Sequence, residues 1–194
     1  MPSVSDRRVI IVGDTEYTTF GPTRATGWTQ AHHHKEIVQI AAVRLDLETG
    51  CELATFDRLV RPAINPQLTR HFVTLTGIGQ PEVDRDGAPF VDRLAEYLAF
   101  CGDDPIWVFD ADGEVFRENC ALNGLPFPFV GAREVFRVKP RLAGWGYDPE
   151  AYSSGTLCTA IGLPLDGRVH NALHDVRSTA AFLRHVHASR TSAS

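Results

Sequence analysis

The sequence has no basic surplus, no apolar run of membrane length and no paired-cysteine motif, and each absence removes a class of function. Nineteen lysines and arginines stand against 24 aspartates and glutamates, for a formal charge of −5. Proteins that grip long duplexes without sequence preference carry the opposite sign, which argues against a histone-like or repressor-like role. The sign leaves nucleic acid open, because carboxylates that hold divalent cations meet phosphate through those cations. No apolar stretch approaches the ~18 residues of a membrane span, and no signal-peptide core follows the segment Met1 to Arg8. The expectation is a cytoplasmic protein with no membrane contact. Cys51, Cys101, Cys120 and Cys158 lie far apart and form no C-x-x-C, which excludes a zinc knuckle or a dithiol redox motif and predicts reduced thiols. Internal repeats and Gly/Ser-rich or Pro-rich linkers are also missing. One domain over residues 1–194 is expected, with its core from about 8 to 188 and short flexible termini.

What is present is ordinary globular material, 43% apolar and 22% charged. Arg8-Val9-Ile10-Ile11-Val12-Gly13 reads as a strand buried on both faces. Residues 17 to 35 are polar, with Gly21, Pro22, Gly27 and three successive histidines, and read as a long loop. Ile37 to Leu45 and Glu52 to Val60 read as two more strands, joined by turn chemistry at Glu48-Thr49-Gly50, so an antiparallel meander is expected. Phe90, Val91, Leu94, Tyr97 and Leu98 recur at helical spacing before Gly102. Ile106 to Phe109 reads as a fourth strand, and Val115, Phe116 and Cys120 mark a helix closed by Gly124 and Pro126. Further helices are predicted over Ser154 to Ile161, and from Ala172 to about His187. A meander followed by alternating helix and strand predicts an α/β fold with a mixed sheet.

Three acidic features stand at element ends. Asp14 and Glu16 follow the first strand directly, and strand period two puts both on one face. Carboxylates so placed repel unless a divalent cation sits between them, although a lone D-x-E is more often a solvated strand end. Asp112 lies where the Ile106–Phe109 strand meets the next helix; helix capping would explain it equally well, and Asp110 is an alternative. His170 and Asp175 flank the start of the last helix, where its dipole favours a carboxylate. Acidic groups at strand-to-helix junctions of one sheet converge on one edge of that sheet.

Taken in order, Asp14-x-Glu16, Asp112 and His170-x4-Asp175 resemble the DEDDh family of 3′–5′ exonucleases. The likeness runs from Val9 to about Val186. Glu36 to Val43 resembles the family's second strand, and Val60-Arg61-Pro62 with Leu75-Thr76-Gly77-Ile78 resembles the stretch after its third. Asn65-Pro66-Gln67-Leu68, Glu118-Asn119-Cys120 and Leu125-Pro126-Phe127-Pro128 look most like the Eri-type exoribonuclease branch. Counting back from Glu118-Asn119-Cys120 puts the family's middle aspartate on Asp112, with Asp110 the alternate.

The resemblance implies a ribonuclease H-like, three-layer α/β fold, with a mixed five-stranded sheet, an antiparallel N-terminal meander and flanking helices. It implies that Asp14, Glu16, Asp112 and Asp175 hold two Mg²⁺ or Mn²⁺ ions roughly 3.5–4 Å apart, with His170 as general base. The resemblance also implies contacts to the terminal nucleotide from the residues flanking Glu16, namely Thr15, Tyr17 and Thr18. The implied substrate is single-stranded nucleic acid with a free 3′ end, RNA ahead of DNA. Two alternatives stay open: a non-catalytic nucleic-acid-binding relative, and an enzyme that trims DNA or degrades oligonucleotides. Other features have plainer readings: a solvated loop for His32-His33-His34, helix surface for His174, and packing rather than base stacking for Phe127, Phe129, Trp145 and Tyr147.

Overall fold

The computed structural model describes residues 8–21, 28–164 and 166–191; the segments expected as flexible termini at 1–7 and 192–194, and residues 22–27 of the long loop, lie outside the described residues. The first three strands, β1 (Val9–Tyr17), β2 (Ile37–Asp46) and β3 (Glu52–Leu59), form the antiparallel meander. Its second turn is closed by Asp46, whose Oδ1 accepts the Glu48 and Thr49 N–H groups at 2.9 and 3.2 Å. Two short strands, β4 (Ile106–Val108) and β5 (Val135–Arg137), continue the sheet in parallel with β1, giving the order β3-β2-β1-β4-β5. This is the mixed five-stranded, ribonuclease H-like sheet. The strand expected through Phe109 ends at Val108, and β5 has only three residues, too few to show a period in sequence.

Among the described residues five α-helices flank the sheet: α1 (Arg70–Thr76), α2 (Gln80–Asp86), α3 (Phe90–Cys101), α4 (Asp112–Leu122) and α5 (Ala172–Thr191). The last continues past the expected end at His187. The segment Ser154–Ile161 is helical as predicted but winds as a 3₁₀ helix. Ser153 and Thr156 form a capping box at its start, and the Cys158 N–H turns aside to the Ser178 hydroxyl at 3.0 Å. Sequence patterning misses α1 and α2, which have seven residues each and span barely two turns. A local signal was present for α1: Thr69 caps it, its hydroxyl accepting the Phe72 N–H at 3.1 Å.

Side-chain alternation along β1 sorts the two faces of the sheet. Ile10 and Val12 pack with Val176, Phe182 and Leu183 of α5, whereas Ile11 packs with Leu94 and Tyr97 of α3 and Val115 and Phe116 of α4. Both faces are covered, which is why the strand reads as an unbroken apolar run. Each fully buried side chain of this kind, Phe182 for example at 0% exposure, contributes about 1.5–3 kcal/mol. The same alternation carries on past the apolar run. Asp14 and Glu16 fall on the α5 side and Thr15 on the side of α3 and α4. The pairing of β4 with β1 stops at Gly13, so the acidic end of β1 overhangs its neighbour. Among the described residues no helix is long and apolar enough to cross a membrane.

Candidate functional site

A cleft of about 410 Å³ opens at this overhang, and Asp14, Glu16, Asp112, His170 and Asp175 all line it. The four carboxylates come from β1, the first turn of α4 and the first turn of α5. Each is 9% exposed or less.

Asp112 does not cap α4. The cap position is Ala111, and the Asp112 carboxylate turns instead to β1, its Oδ1 accepting the Thr15 N–H at 3.0 Å and the Thr15 hydroxyl at 2.7 Å. Asp110, the alternate, pairs with Arg137, which also reaches Glu114 at 3.2 Å. The structure therefore turns one of these two aspartates toward the other acids and neutralises its neighbour with a guanidinium.

The Asp175 carboxylate is held by two hydrogen bonds. The Ser154 hydroxyl donates to its Oδ2 at 2.9 Å. The His170 N–H donates to Oδ1 at 3.2 Å. Gly155 makes the close approach possible, because a Cβ there would stand 2.4 Å from Asp175 Oδ1. Glu16, His170 and Asp175 each offer a ligand atom within 4.8 Å of the others. His170 is exposed and has φ 66°, a left-handed conformation that costs a non-glycine residue about 1–2 kcal/mol.

The electrostatics set these acids apart from an ordinary buried carboxylate. Glu36 is equally buried, but it accepts N–H groups from Ala63, Ile64 and Asn65 and the Asn65 side-chain amide at 2.6–2.9 Å. It latches a loop. Asp14 and Glu16 are instead pushed well above the usual carboxylate range, first by burial and then by repulsion from their acidic neighbours. Burial raises Asp112 to about 6 despite its bonds to Thr15. Asp175 is raised by burial too, with Ser154 and His170 opposing. Among the described residues no lysine or arginine forms an ion pair with any of the four. Four carboxylates with this much unrelieved negative charge, and the His170 imidazole in reach of two of them, fit a divalent cation.

The expected substrate contacts divide. Thr15 and Tyr17 both line the cleft; Thr15 is buried against Asp112, and Tyr17 packs on Trp28 with centroids 5.8 Å apart. Thr18 faces inward: its hydroxyl donates to His34 O at 2.6 Å and accepts the Glu36 N–H at 3.0 Å. Sequence reasoning missed Trp28, His71, Lys139, Tyr152 and Ser154, all of which line the cleft. Trp28 is pinned by its Nε1–H to Thr18 O at 3.1 Å, and Lys35 Nζ stands 5.0 Å from its ring. The expectation for His174 is corrected. It is half-buried and bridges to Gly155 O at 3.1 Å, bracing the glycine that receives Asp175. His33 stacks on Phe20 at 3.8 Å, so the histidine triplet is packed more tightly than a fully solvated loop. Phe127 and Phe129 join one aromatic cluster while Trp145 and Tyr147 pack on Phe182, as the plainer reading had it.

Known proteins share this fold. The nuclease domain of 3′hExo, a DEDDh family member bound to rAMP, superposes with a TM-score of 0.81 at 21% identity over 95% of this chain and 94% of that one. E. coli Exonuclease I in complex with a dA16 oligonucleotide gives 0.72 at 17% identity, covering 96% of this chain and 42% of the other. In sequence, the 3′-5′ exoribonuclease 1 of Rattus norvegicus is 27% identical over 155 residues, 75% of this chain and 45% of that protein. The chain thus spans less than half the length of this relative. The Drosophila melanogaster 3′-5′ exonuclease Snipper is 21% identical over 201 residues, 90% of this chain and 67% of that protein. The Exonuclease (RNase_T) family model matches residues 11–183, a span that includes most of β1, α4 and the start of α5 with every acid of the cleft. The chain belongs to the exonuclease family.

Proposed function

We propose that this chain is one catalytic domain that hydrolyses single-stranded nucleic acid from a free 3′ end, in the cytoplasm, with RNA preferred to DNA. The observation that carries the reading is the reach of Glu16, His170 and Asp175 to one another within 4.8 Å, with Asp14 and Asp112 in the same cleft. Asp14, Glu16, Asp112 and Asp175 would hold two Mg²⁺ or Mn²⁺ ions. Those ions would supply charge to clamp the scissile phosphate and ease deprotonation of water.

The chain's own groups do the rest. Thr15 fixes Asp112 from two donors, and Ser154 holds Asp175 beside Asp14, so the acids are oriented before substrate arrives. His170, exposed at the cleft and anchored through its backbone N–H, accepts the proton of the attacking water. Tyr17, Trp28 and Tyr152 offer flat faces for the terminal bases, where a stacked base is worth about 1–3 kcal/mol. The preference for RNA is supported by the exoribonuclease relative from Rattus norvegicus.

End-labelled single strands with free or blocked 3′ ends, incubated with Mg²⁺ or with EDTA, test the reading. Stepwise release of mononucleotides from free 3′ ends alone, and only with the metal, is the expected result. Undiminished cleavage in EDTA, or cleavage of blocked ends, would overturn it. Matched RNA and DNA oligomers compared by kcat/KM decide the substrate class, and faster cleavage of DNA would reverse the stated preference.

A further inference from the structure

Among the described residues, His170 is the one non-glycine residue with a positive φ. It occupies the third position of a turn closed by the Asn171 N–H donating to Arg168 O at 3.2 Å, a place that favours glycine or asparagine. A histidine stays in such a conformation only where its surroundings hold it there. One hold lies inside the motif, the bond from the His170 N–H to Asp175. A second comes from outside it. The Arg168 guanidinium reaches α1, donating from Nε to Leu75 O at 3.2 Å and from Nη2 to Thr74 O.

Those carbonyls belong to the last turn of α1, where helix carbonyls lack intrahelical donors and a cation is favoured. Gly77 ends that helix at φ 82°, and it also makes room for the arginine, because a Cβ there would stand 3.0 Å from Nη1. The helix so gripped is the one that supplies His71 and Leu75 to the cleft. Among the described residues Arg168 has no carboxylate partner, so its charge is spent on this contact.

We propose that Arg168 is a positioning residue for His170. By gripping the carbonyls of Thr74 and Leu75 it fixes the turn that keeps His170 left-handed and within reach of Glu16 and Asp175. This role rests on the reading of His170 as the proton acceptor, so the test separates the two.

The Cα and Cβ chemical shifts of His170 are measured by NMR in the metal-free wild type, Arg168→Ala and Arg168→Lys. The kcat and KM for an end-labelled oligonucleotide with Mg²⁺ are measured for the same proteins, for His170→Ala and for the double variant. Arg168 is exposed, so its replacement leaves the core packing intact. In Arg168→Ala the His170 shifts should leave their left-handed values and kcat should fall about 10- to 100-fold, with KM within about twofold. Arg168→Lys, with one ammonium for two carbonyls, should recover part of both. In the His170→Ala background the Arg168 substitution should cost nothing further. Unchanged His170 shifts, a loss confined to KM, or the same loss in the His170→Ala background would overturn the positioning role. If His170→Ala alone keeps the wild-type kcat, the proton-acceptor reading fails, and the shifts then decide by themselves whether Arg168 holds the turn.

Discussion

Thr15 presents both its backbone N–H and its hydroxyl to the same oxygen of Asp112, although the two residues lie 97 positions apart in the chain. That double contact takes the carboxylate out of the helix-capping role its position suggests. It also determines which substitution is informative.

Asp112→Asn keeps an oxygen able to accept both Thr15 bonds, so the fold should persist while turnover falls below detection. Activity assays and a thermal melt check this together. Asp110→Asn is the counterpart: its carboxylate is already paired with Arg137, and activity within a few-fold of wild type is expected. A dead Asp110→Asn beside a working Asp112→Asn would shift the middle aspartate by two positions.

The metal-free protein should lose stability as pH rises from about 4 to about 6. Asp112 has its carboxyl raised to about 6, so the folded state keeps a proton that the unfolded chain releases near pH 4. Stability linked to that proton is fully present below the unfolded value and is lost as pH climbs through the folded one. For Asp112 alone the change is on the order of 3 kcal/mol. Asp14 and Glu16 act in the same direction and extend the fall upward. Melts from pH 4 to 8 should show the decline, Mg²⁺ or Mn²⁺ should reverse it, and Asp112→Asn should make it shallower, leaving the part due to Asp14 and Glu16.

Gly155→Ala should disable the site without touching a carboxylate. The added methyl would sit 2.4 Å from Asp175 Oδ1 and 2.8 Å from Val169 Cγ1, so either Asp175 or the 3₁₀ helix must move. Loss of divalent-metal stabilisation in a melt, at a fold unchanged by circular dichroism, is the expected signature.

His170 can be separated into backbone and imidazole. Asparagine tolerates the left-handed conformation, so His170→Asn should melt near wild type while kcat falls about 10²–10⁴-fold. His170→Val carries a branched β-carbon into the same φ, and should lower both the rate and the melting temperature.

The acids were readable from the sequence because they stand where periods change: Asp14 and Glu16 at the end of an apolar strand, Asp112 and Asp175 at helix starts. Local spacing states which face such a residue takes. The groups that orient them were not readable, since Ser154, Gly155 and Thr15 act through contacts to residues distant in sequence. β5 and the seven-residue α1 and α2 escaped for a different reason, being shorter than the pattern that would reveal them. His174 misled because its spacing from Asp175 points it elsewhere on α5. What matters there is the carbonyl of Gly155, brought alongside by a separate segment.

β1 is read by both layers of the molecule at its acidic end. Asp14 and Glu16 face α5, while Thr15 faces the start of α4 and engages Asp112. A slip of one residue would exchange those faces, sending both acids to the wrong layer and placing Thr15 among the carboxylates. A strand in the wrong register would therefore be inert rather than weakened, and the fraction of active molecules after refolding would report how faithfully β1 had found its pairing.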